Sequence, residues 1–125
     1  SSAVTYAHGQ LISQLQSNIT ALNNNLTTLG NKLADFIKSI IVNQSSPQTV
    51  TLQASGVYLL LSSSSNDSYQ CAYLITSDAT TPNIIPLKTV TSVTITASSN
   101  RNITISTTVE AYLCFYLINF SKFNN

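Results

Sequence analysis

The stretch ISQLQSNITALNNNLTTLGNKLADFIKSI, residues 12–40, decides the fold. Its apolar residues recur at alternating spacings of three and four, which is the heptad repeat of a coiled coil. The repeat runs without a miss through Ile12, Leu15, Ile19, Leu22, Leu26, Leu29, Leu33, Phe36 and Ile40. Asn, Ser, Thr and Gln fill most positions between them, so the apolar stripe is narrower than that of a helix lying on its own domain. We predict a parallel coiled-coil stalk over residues 10–43; the alternative is a lone helix packed along its own domain.

The residues of this seam bear on the number of helices in the coiled coil. Ile at position a with Leu at position d favours dimers, whereas Leu26 and Leu33 at a and the bulky Phe36 at d loosen that preference. Ile37 at position e widens the apolar stripe and favours more than two helices. We expect a homotrimer, with a dimer as the open alternative. The first expected partner of this chain is therefore itself.

Sequence signals on both sides of the stalk give the domain boundaries. Residues 1–9 lack a clear period, and we expect a lead-in that frays before the stalk begins. Pro47 pushes the residue before it out of the helical region, so residues 44–48 are predicted to form a neck. Residues 49–125 are then predicted to form a small head. The chain starts without Met, so we expect a processed or truncated product.

From Thr49 onwards apolar residues tend to alternate with polar ones, which predicts strands. The clearest hairpin joins residues 90–97 to 101–109, whereas residues 80–86, with two prolines, indicate a long connection. The inward-facing hairpin residues are predicted to be Val93, Ile95, Ile103 and Ile105, and the outward-facing ones Thr94, Thr96, Thr104 and Ser106.

The last apolar segment of the head, Ala111 to Phe120, is apolar at nine of its ten positions. A strand of this composition is predicted to be covered on both faces, which makes it the core strand and a candidate subunit interface. Together these patterns predict an α+β fold. Its N-terminal parallel coiled-coil helix is followed by a small antiparallel β-sandwich or jelly-roll head of six or seven strands.

The composition excludes several classes of partner. Charged residues make up 7% of the chain and the net charge is +1, which leaves no basic patch for phosphates or anionic lipid. We therefore expect no nucleic-acid partner. We also expect no membrane insertion in this segment, because no run of 18 apolar residues occurs. Ser, Thr and Asn supply the polar surface instead, as suits an extracellular protein exposed to extremes of pH or salt.

Catalytic and metal chemistry have little support in the sequence. The one histidine, His8, lies in the lead-in, so the head of a single chain has no Ser–His or Cys–His pair. The acidic residues Asp35, Asp67, Asp78 and Glu110 are scattered along the chain. Neither a Gly-rich phosphate loop nor metal-ligand spacing occurs. We predict no enzyme, no catalytic residue, no metal and no cofactor.

Three kinds of residue are candidate modification or binding sites. Cys71 and Cys114 lie in β-patterned segments outside any Cys-x-x-Cys motif, and an intramolecular disulfide or two buried free thiols fit this placement. Tyr69 is a candidate for stacking on a sugar, and the alternative is a core position. Candidate N-glycosylation triplets begin at Asn18, Asn25, Asn43, Asn66 and Asn102; a sixth, at Asn119, lies in the core strand. A Ser/Thr/Asn-rich chain also produces such triplets by chance, so both interpretations stay open.

The order of heptad stalk, Ser-Pro neck and β-head resembles the stalk-and-head attachment fibres of viruses and phages. The resemblance covers Ile12 to Phe120 and rests on architecture alone. It implies an extracellular homotrimer whose head binds a surface receptor or glycan. The low charge, the Ser/Thr/Asn content and the triplets also look like surface glycoproteins and pilus or filament subunits of thermoacidophilic archaea, or of their viruses. That second resemblance implies a glycosylated structural subunit of a filament, pilus or coat on a virion or cell surface.

Overall fold

A computed structural model describes Ser1 to Asn124 and divides the chain into two compact units, one ending at Leu33 and the other beginning at Ala34. The elements in chain order are α1 (Ser2–Phe36), β1 (Ile37–Val42), β2 (Gln48–Thr51), β3 (Gly56–Ser62), β4 (Ala72–Ser77), β5 (Asn83–Lys88), β6 (Val93–Ser98), β7 (Asn102–Thr107), β8 (Leu113–Asn119) and a short 3-10 helix (Lys122–Asn124). The chain is therefore α+β, with an N-terminal α-helix followed by antiparallel sheets.

The helix α1 begins at Ser2, so the predicted lead-in over residues 1–9 is wrong. Ser1 caps the first turn: the Val4 N–H donates to Ser1 Oγ at 3.3 Å, and the Thr5 N–H donates to the Ser1 carbonyl at 3.0 Å. A serine in this position satisfies backbone N–H groups that have no partner inside the helix. This cap starts the helix well before the first heptad residue.

The helix ends at Phe36, and the prediction that it continues to residue 43 is wrong. Residues 37–42 are IKSIIV, of which four are β-branched, and such residues pack well in strands. They form β1, which pairs antiparallel with β8 and sets Ile40 opposite Phe115. Ile40 and Val42 are buried in the head, and this burial outweighs the continuing heptad spacing. Ile37 also belongs to β1, so its predicted role at position e of the stalk is wrong.

The strands form two sheets that pack against each other as a sandwich. The five-stranded sheet has the order β1-β8-β3-β4-β5, and the three-stranded sheet has the order β2-β7-β6. All strand pairs are antiparallel. The core lies between the sheets. It is dominated by fully buried side chains, six from the two sheets and one just after β2: Phe115, Leu60, Ile75, Val42, Ile103, Ile105 and, after β2, Leu52.

The β6–β7 hairpin confirms the alternation predicted for it. Ile103 and Ile105 are fully buried, and the neighbouring Thr94 and Thr96 are exposed. The predicted connection over residues 80–86 is wrong, because Asn83–Lys88 forms β5. Pro86 is tolerated there because β5 is an edge strand. With β1 and β5 added, the described head has eight strands rather than six or seven.

Candidate functional site

The apolar stripe of α1 lies along one side of a helix that has no buried residue. Its heptad residues from Ile12 to Leu33 keep about half or more of their surface exposed, from 48% at Leu29 to 66% at Leu22. Exposed large side chains on one contiguous stripe mark an interaction surface. We call the residues Ile12, Leu15, Ile19, Leu22, Leu26, Leu29 and Leu33 the seam.

The last two predicted members of the heptad series have other positions. Phe36, at the end of α1, is half-buried and contacts two rings near the C-terminus: Phe120 edge-on at 6.5 Å between centroids, and Phe123 at 5.5 Å. Ile40 is 5% exposed and packs in the head core, so its assignment to the coiled-coil core is wrong. The seam thus ends near the point where β1 begins.

Cys71 and Cys114 are free thiols, and the predicted disulfide is wrong. The two residues flank β3 from opposite sides, since the Ser62 N–H donates to the Cys71 carbonyl and the Ser63 N–H donates to the Cys114 carbonyl. Two strand spacings are about 9.6 Å, beyond the reach of a disulfide. Cys71 also faces the core, whereas Cys114 lies on the opposite face of the sheet. The two cysteines form no disulfide, so they do not support the expectation of an extracellular location.

The candidate glycosylation sites differ in how free their amides are. Asn18, Asn25 and Asn66 are exposed. The amide nitrogen of Asn43 donates to the Glu110 carbonyl at 3.3 Å, and that of Asn102 donates to the Ser99 carbonyl at 3.2 Å. The sixth triplet, at Asn119, is buried in the core. The first three are therefore the accessible acceptors.

Tyr69, the candidate for sugar stacking, lies in the loop before β4 and packs partly buried against the core. Its carbonyl accepts a hydrogen bond of 2.7 Å from the Ser62 hydroxyl, and Ser62 Oγ accepts one of 3.1 Å from the Cys71 N–H. These contacts anchor the loop to the end of β3. The position of Tyr69 matches its alternative interpretation as a core residue.

A cavity of about 260 Å³ opens in the head, lined by residues including Lys38, Gln53, Tyr58, Asn119 and Lys122. Gln53 is held at three points. Its N–H donates to the Tyr58 hydroxyl at 2.8 Å, its carbonyl accepts from the Ser77 hydroxyl at 2.6 Å, and its side-chain Oε1 accepts from Asn119 Nδ2 at 2.8 Å. Gln53 Nε2 is left buried without a hydrogen-bond partner. An unpaired buried donor of this kind is costly unless an acceptor binds beside it.

Charged groups at the same cavity bias it towards acidic ligands. Lys122 Nζ is 3.1 Å from Asp35 Oδ2, and Lys38 also lines the cavity. Two cations and one carboxylate leave a net positive charge. The arrangement can bind oxygen acceptors, with a preference for a ligand that carries a carboxylate.

The outer face of the three-stranded sheet is entirely hydroxyl or amide. Two pairs of side chains join β2 to β7: Thr49 and Thr104 with hydroxyls 2.9 Å apart, and Thr51, which donates to Asn102. Strand β6 adds Thr94, Thr96 and Ser98 to this face, and β7 adds Ser106. We call Thr49, Thr51, Thr94, Thr96, Ser98, Asn102, Thr104 and Ser106 the hydroxyl face.

The outer face of the five-stranded sheet is mostly aliphatic. The registers align one residue from each strand into a single row: Ile37, Ile118, Leu59, Leu74 and Ile85. On either side of this row lie Ile41, Val57, Leu61, Ala72, Cys114 and Tyr116. We call these eleven residues the aliphatic face; the polar residues Ser39, Thr76, Asn83 and Lys88 lie beside it on the same side of the sheet. Sequence reasoning found several of its strands but could not assign the face.

The described residues contain neither a metal-binding cluster nor a membrane-spanning helix. No group of three His, Cys, Asp or Glu residues among those described is placed to hold a metal ion. In the same part of the chain, no helix is both long and apolar enough to cross a membrane. No sequence pattern points to the Gln53–Asn119 pair, because only the folded registers bring residues 66 positions apart together.

Comparisons with known proteins found no match: no protein family, no curated protein and no solved structure resembles this chain closely enough to be assigned to it. The candidate surfaces therefore have to be interpreted from their own chemistry.

Proposed function

We propose that this chain is an extracellular homotrimeric fibre or attachment protein, in which three parallel copies of α1 form a coiled-coil stalk that carries a ligand-binding head. The observation that supports it is the exposed seam. Burying one large aliphatic side chain contributes about 1.5–3 kcal/mol, so seven unburied residues on one stripe strongly favour association. A helix of 35 residues is about 52 Å long, which makes the stalk a spacer as well as a clamp.

The residues within the seam favour a trimer over a dimer. Leu26 and Leu33 at position a depart from the β-branched pattern that favours dimers, and no position a from Ile12 to Leu33 carries the Asn that fixes some coiled coils in one state.

Charges placed in the seam test the stalk. We expect Leu22→Asp and Leu26→Asp each to dissociate the oligomer, because an unpaired carboxylate would be buried between helices. Asn24→Asp adds the same charge on the opposite side of the helix and is the matched control. Sedimentation equilibrium should give three times the chain mass of 13.5 kDa for the wild type and the control. A wild type at the mass of one chain, or an unchanged oligomer in both seam variants, would contradict the stalk.

For the head, we propose the Gln53 cavity as the site that binds a glycan or a receptor group rich in oxygen acceptors. The unpaired Gln53 Nε2 and the net positive charge support this choice. The volume of about 260 Å³ is near the lower limit of small-molecule pockets, so one sugar unit is the expected occupant. Among sugars, a uronic acid matches the charge best.

A single substitution tests this ligand class. Gln53→Glu keeps the side-chain shape and the bond from Asn119, but it replaces the unpaired donor with an acceptor. Methyl glucuronide and methyl glucoside, titrated while NMR shifts are followed, should perturb residues of the cavity, the glucuronide more strongly. We expect Gln53→Glu to abolish both effects, and Gln48→Glu, on the exposed part of β2, to preserve them. Equal shifts in wild type and Gln53→Glu would refute the site.

A different observation favours a second candidate function. The aliphatic face is open in the single chain, and such a face can join subunits into a glycosylated filament, pilus or coat on a virion or cell surface. Exposed Asn18, Asn25 and Asn66 would carry the glycans. Light scattering over a concentration series separates the candidates, since a fibre protein stays a discrete trimer whereas a filament subunit polymerises.

A further inference from the structure

The five-stranded sheet is apolar on both faces, but the head itself covers only one of them. On β3, Leu60 faces the three-stranded sheet and is fully buried, whereas its neighbour Leu59 faces outward and is half-buried. The edges of the outward row are more open, with Ile37 at 49% and Ile85 at 40% exposure. β8 was predicted to need cover on both faces, and the structure supplies it on one.

We propose that the aliphatic face is a second contact between copies of this chain, formed inside the oligomer that the seam holds together. This inference rests on the proposed coiled-coil stalk and extends it to the head. The occupant of the face is therefore the same face, or its edge, on a neighbouring copy.

Charge favours a second copy over other partners. None of the eleven residues of the aliphatic face is charged, and the neighbouring Lys88 lies 4.0 Å from the carboxylate of Asp67, so identical copies approach with little repulsion. Binding to an anionic lipid surface requires several basic residues around an apolar patch. Binding to an acidic or basic protein requires residues of the opposite charge on the aliphatic face. Apolar centres with few charges are typical of contacts within oligomers.

Continuity with the seam points to the same occupant. Ile37, the first residue of the aliphatic row, directly follows Phe36 with no linker residue between them. Parallel helices in register would therefore hold the Ile37 residues of all copies at one level. Tethering of this kind gives effective concentrations of about millimolar, so even a small contact forms.

The size of the face also argues for a tethered contact. Five strands and five residues along a strand span about 19 Å by 13 Å, or roughly 250 Å² of flat area. A stable interface needs about 800 Å² from each partner. The aliphatic face alone is too small to hold copies together, and the contact is expected only while the seam is intact.

Cys114 lies on the aliphatic face, so the accessibility of its thiol shows whether that face is covered. Cys71 lies in the core, and its protection shows that the head is folded. We expect a bulky maleimide to label Cys114 about tenfold or more slowly in the wild-type oligomer than in the Leu22→Asp/Leu26→Asp double variant. Cys71 should stay protected in both proteins as long as the head is folded. Sedimentation of the same samples reports the seam separately.

Leu59→Lys, at the centre of the aliphatic row, should restore fast labelling of Cys114 while the protein still sediments as an oligomer. Thr104→Lys, at the centre of the hydroxyl face, is the matched control and should leave Cys114 protected. Fast labelling in an intact wild-type oligomer would overturn the face contact and leave the stalk standing. Fast labelling in a wild type that sediments as single chains would overturn both. A mass that grows with concentration and falls back with Leu59→Lys would place the contact between oligomers and overturn the contact proposed within one.

Discussion

The head has two outer faces built by the same alternation of residues, and their chemistry is opposite. The hydroxyl face carries Thr, Ser and Asn at every position, whereas the aliphatic face carries Ile, Leu and Val at most. The inner faces of both sheets are mostly apolar. Alternation therefore identifies the core side of the three-stranded sheet alone, because its other side is polar and suited to water.

The hydroxyl face explains how a chain with so few charges keeps a polar surface. Thr retains the β-branched shape that strands favour, and its hydroxyl bonds to water or across the strands, as between Thr49 and Thr104. The aliphatic face has no such provision. Left open, it would be a site of association.

The largest effect should distinguish the two sides of β3. In the dissociated Leu22→Asp/Leu26→Asp background, Leu60→Ala should lower the free energy of unfolding by about 2–5 kcal/mol, because it leaves a cavity in the core. Leu59→Ala, one residue away on the aliphatic face, should cost about 1 kcal/mol or less there. Urea denaturation measures both. Equal costs in this background would show that a single chain already covers the aliphatic face.

The second expected effect is a loss of stability at alkaline pH, and it depends only on residues that face the core. Burial raises the pKa values of Tyr58, Cys71 and Tyr73, all of which face the core. Their neutral forms stabilise the fold fully below the ordinary values of 9.0 for the thiol and 10.0 for the phenols, and this stability is lost as the pH rises through the raised values. The free energy of unfolding, measured by urea denaturation at a series of alkaline pH values, should therefore fall as the pH rises.

Tyr73→Phe should reduce that alkaline loss of stability, with the exposed Tyr112→Phe as the matched control. At the acidic end, the N–H and hydroxyl of Thr80 both donate to Asp78 and lower the pKa of that carboxyl below 3.8. The stability that Asp78 contributes is present above pH 3.8 and is lost as the pH falls through the lowered pKa.

At the alkaline end, a loss of stability that Tyr73→Phe leaves unchanged would show that the inner side does not control the response to pH.

The helix and the β6–β7 hairpin could be predicted because each segment has one dominant period, the heptad in the helix and strict alternation in the hairpin. Together they predicted the α+β class. Sequence reasoning failed at β1, where heptad spacing and a β-branched run overlap in the same six residues, and pairing with β8 decides between them. It also failed at β5, because Pro86 is compatible with an edge strand and the sequence does not show which strands lie at edges.

The candidate sites were harder to predict than the elements, because they depend on strand order and register. Cys71 and Cys114 share a tyrosine-flanked pattern, yet β3 lies between them and they occupy opposite faces. The Gln53–Asn119 pair likewise exists only in the folded head. In a sheet that is aliphatic on both sides, no alternation shows which side is inner, so the aliphatic face could not be assigned from sequence.

The smallest expected effect tests whether the hydroxyl face contributes stability or only solubility. Thr49→Val and Thr104→Val keep the shape of the side chains and remove the hydroxyls that lie 2.9 Å apart. A double-mutant cycle on this pair should give a coupling free energy of about 0.5–1 kcal/mol by urea denaturation. Thr96 lies opposite Thr104 from the other side, on β6, and supplies the control cycle, for which we expect a coupling near zero. Equal coupling in both cycles would assign the effect to packing of the methyl groups rather than to the hydrogen bond. The hydroxyl face would then differ from the aliphatic face in its affinity for water and not in the bonds that hold its strands.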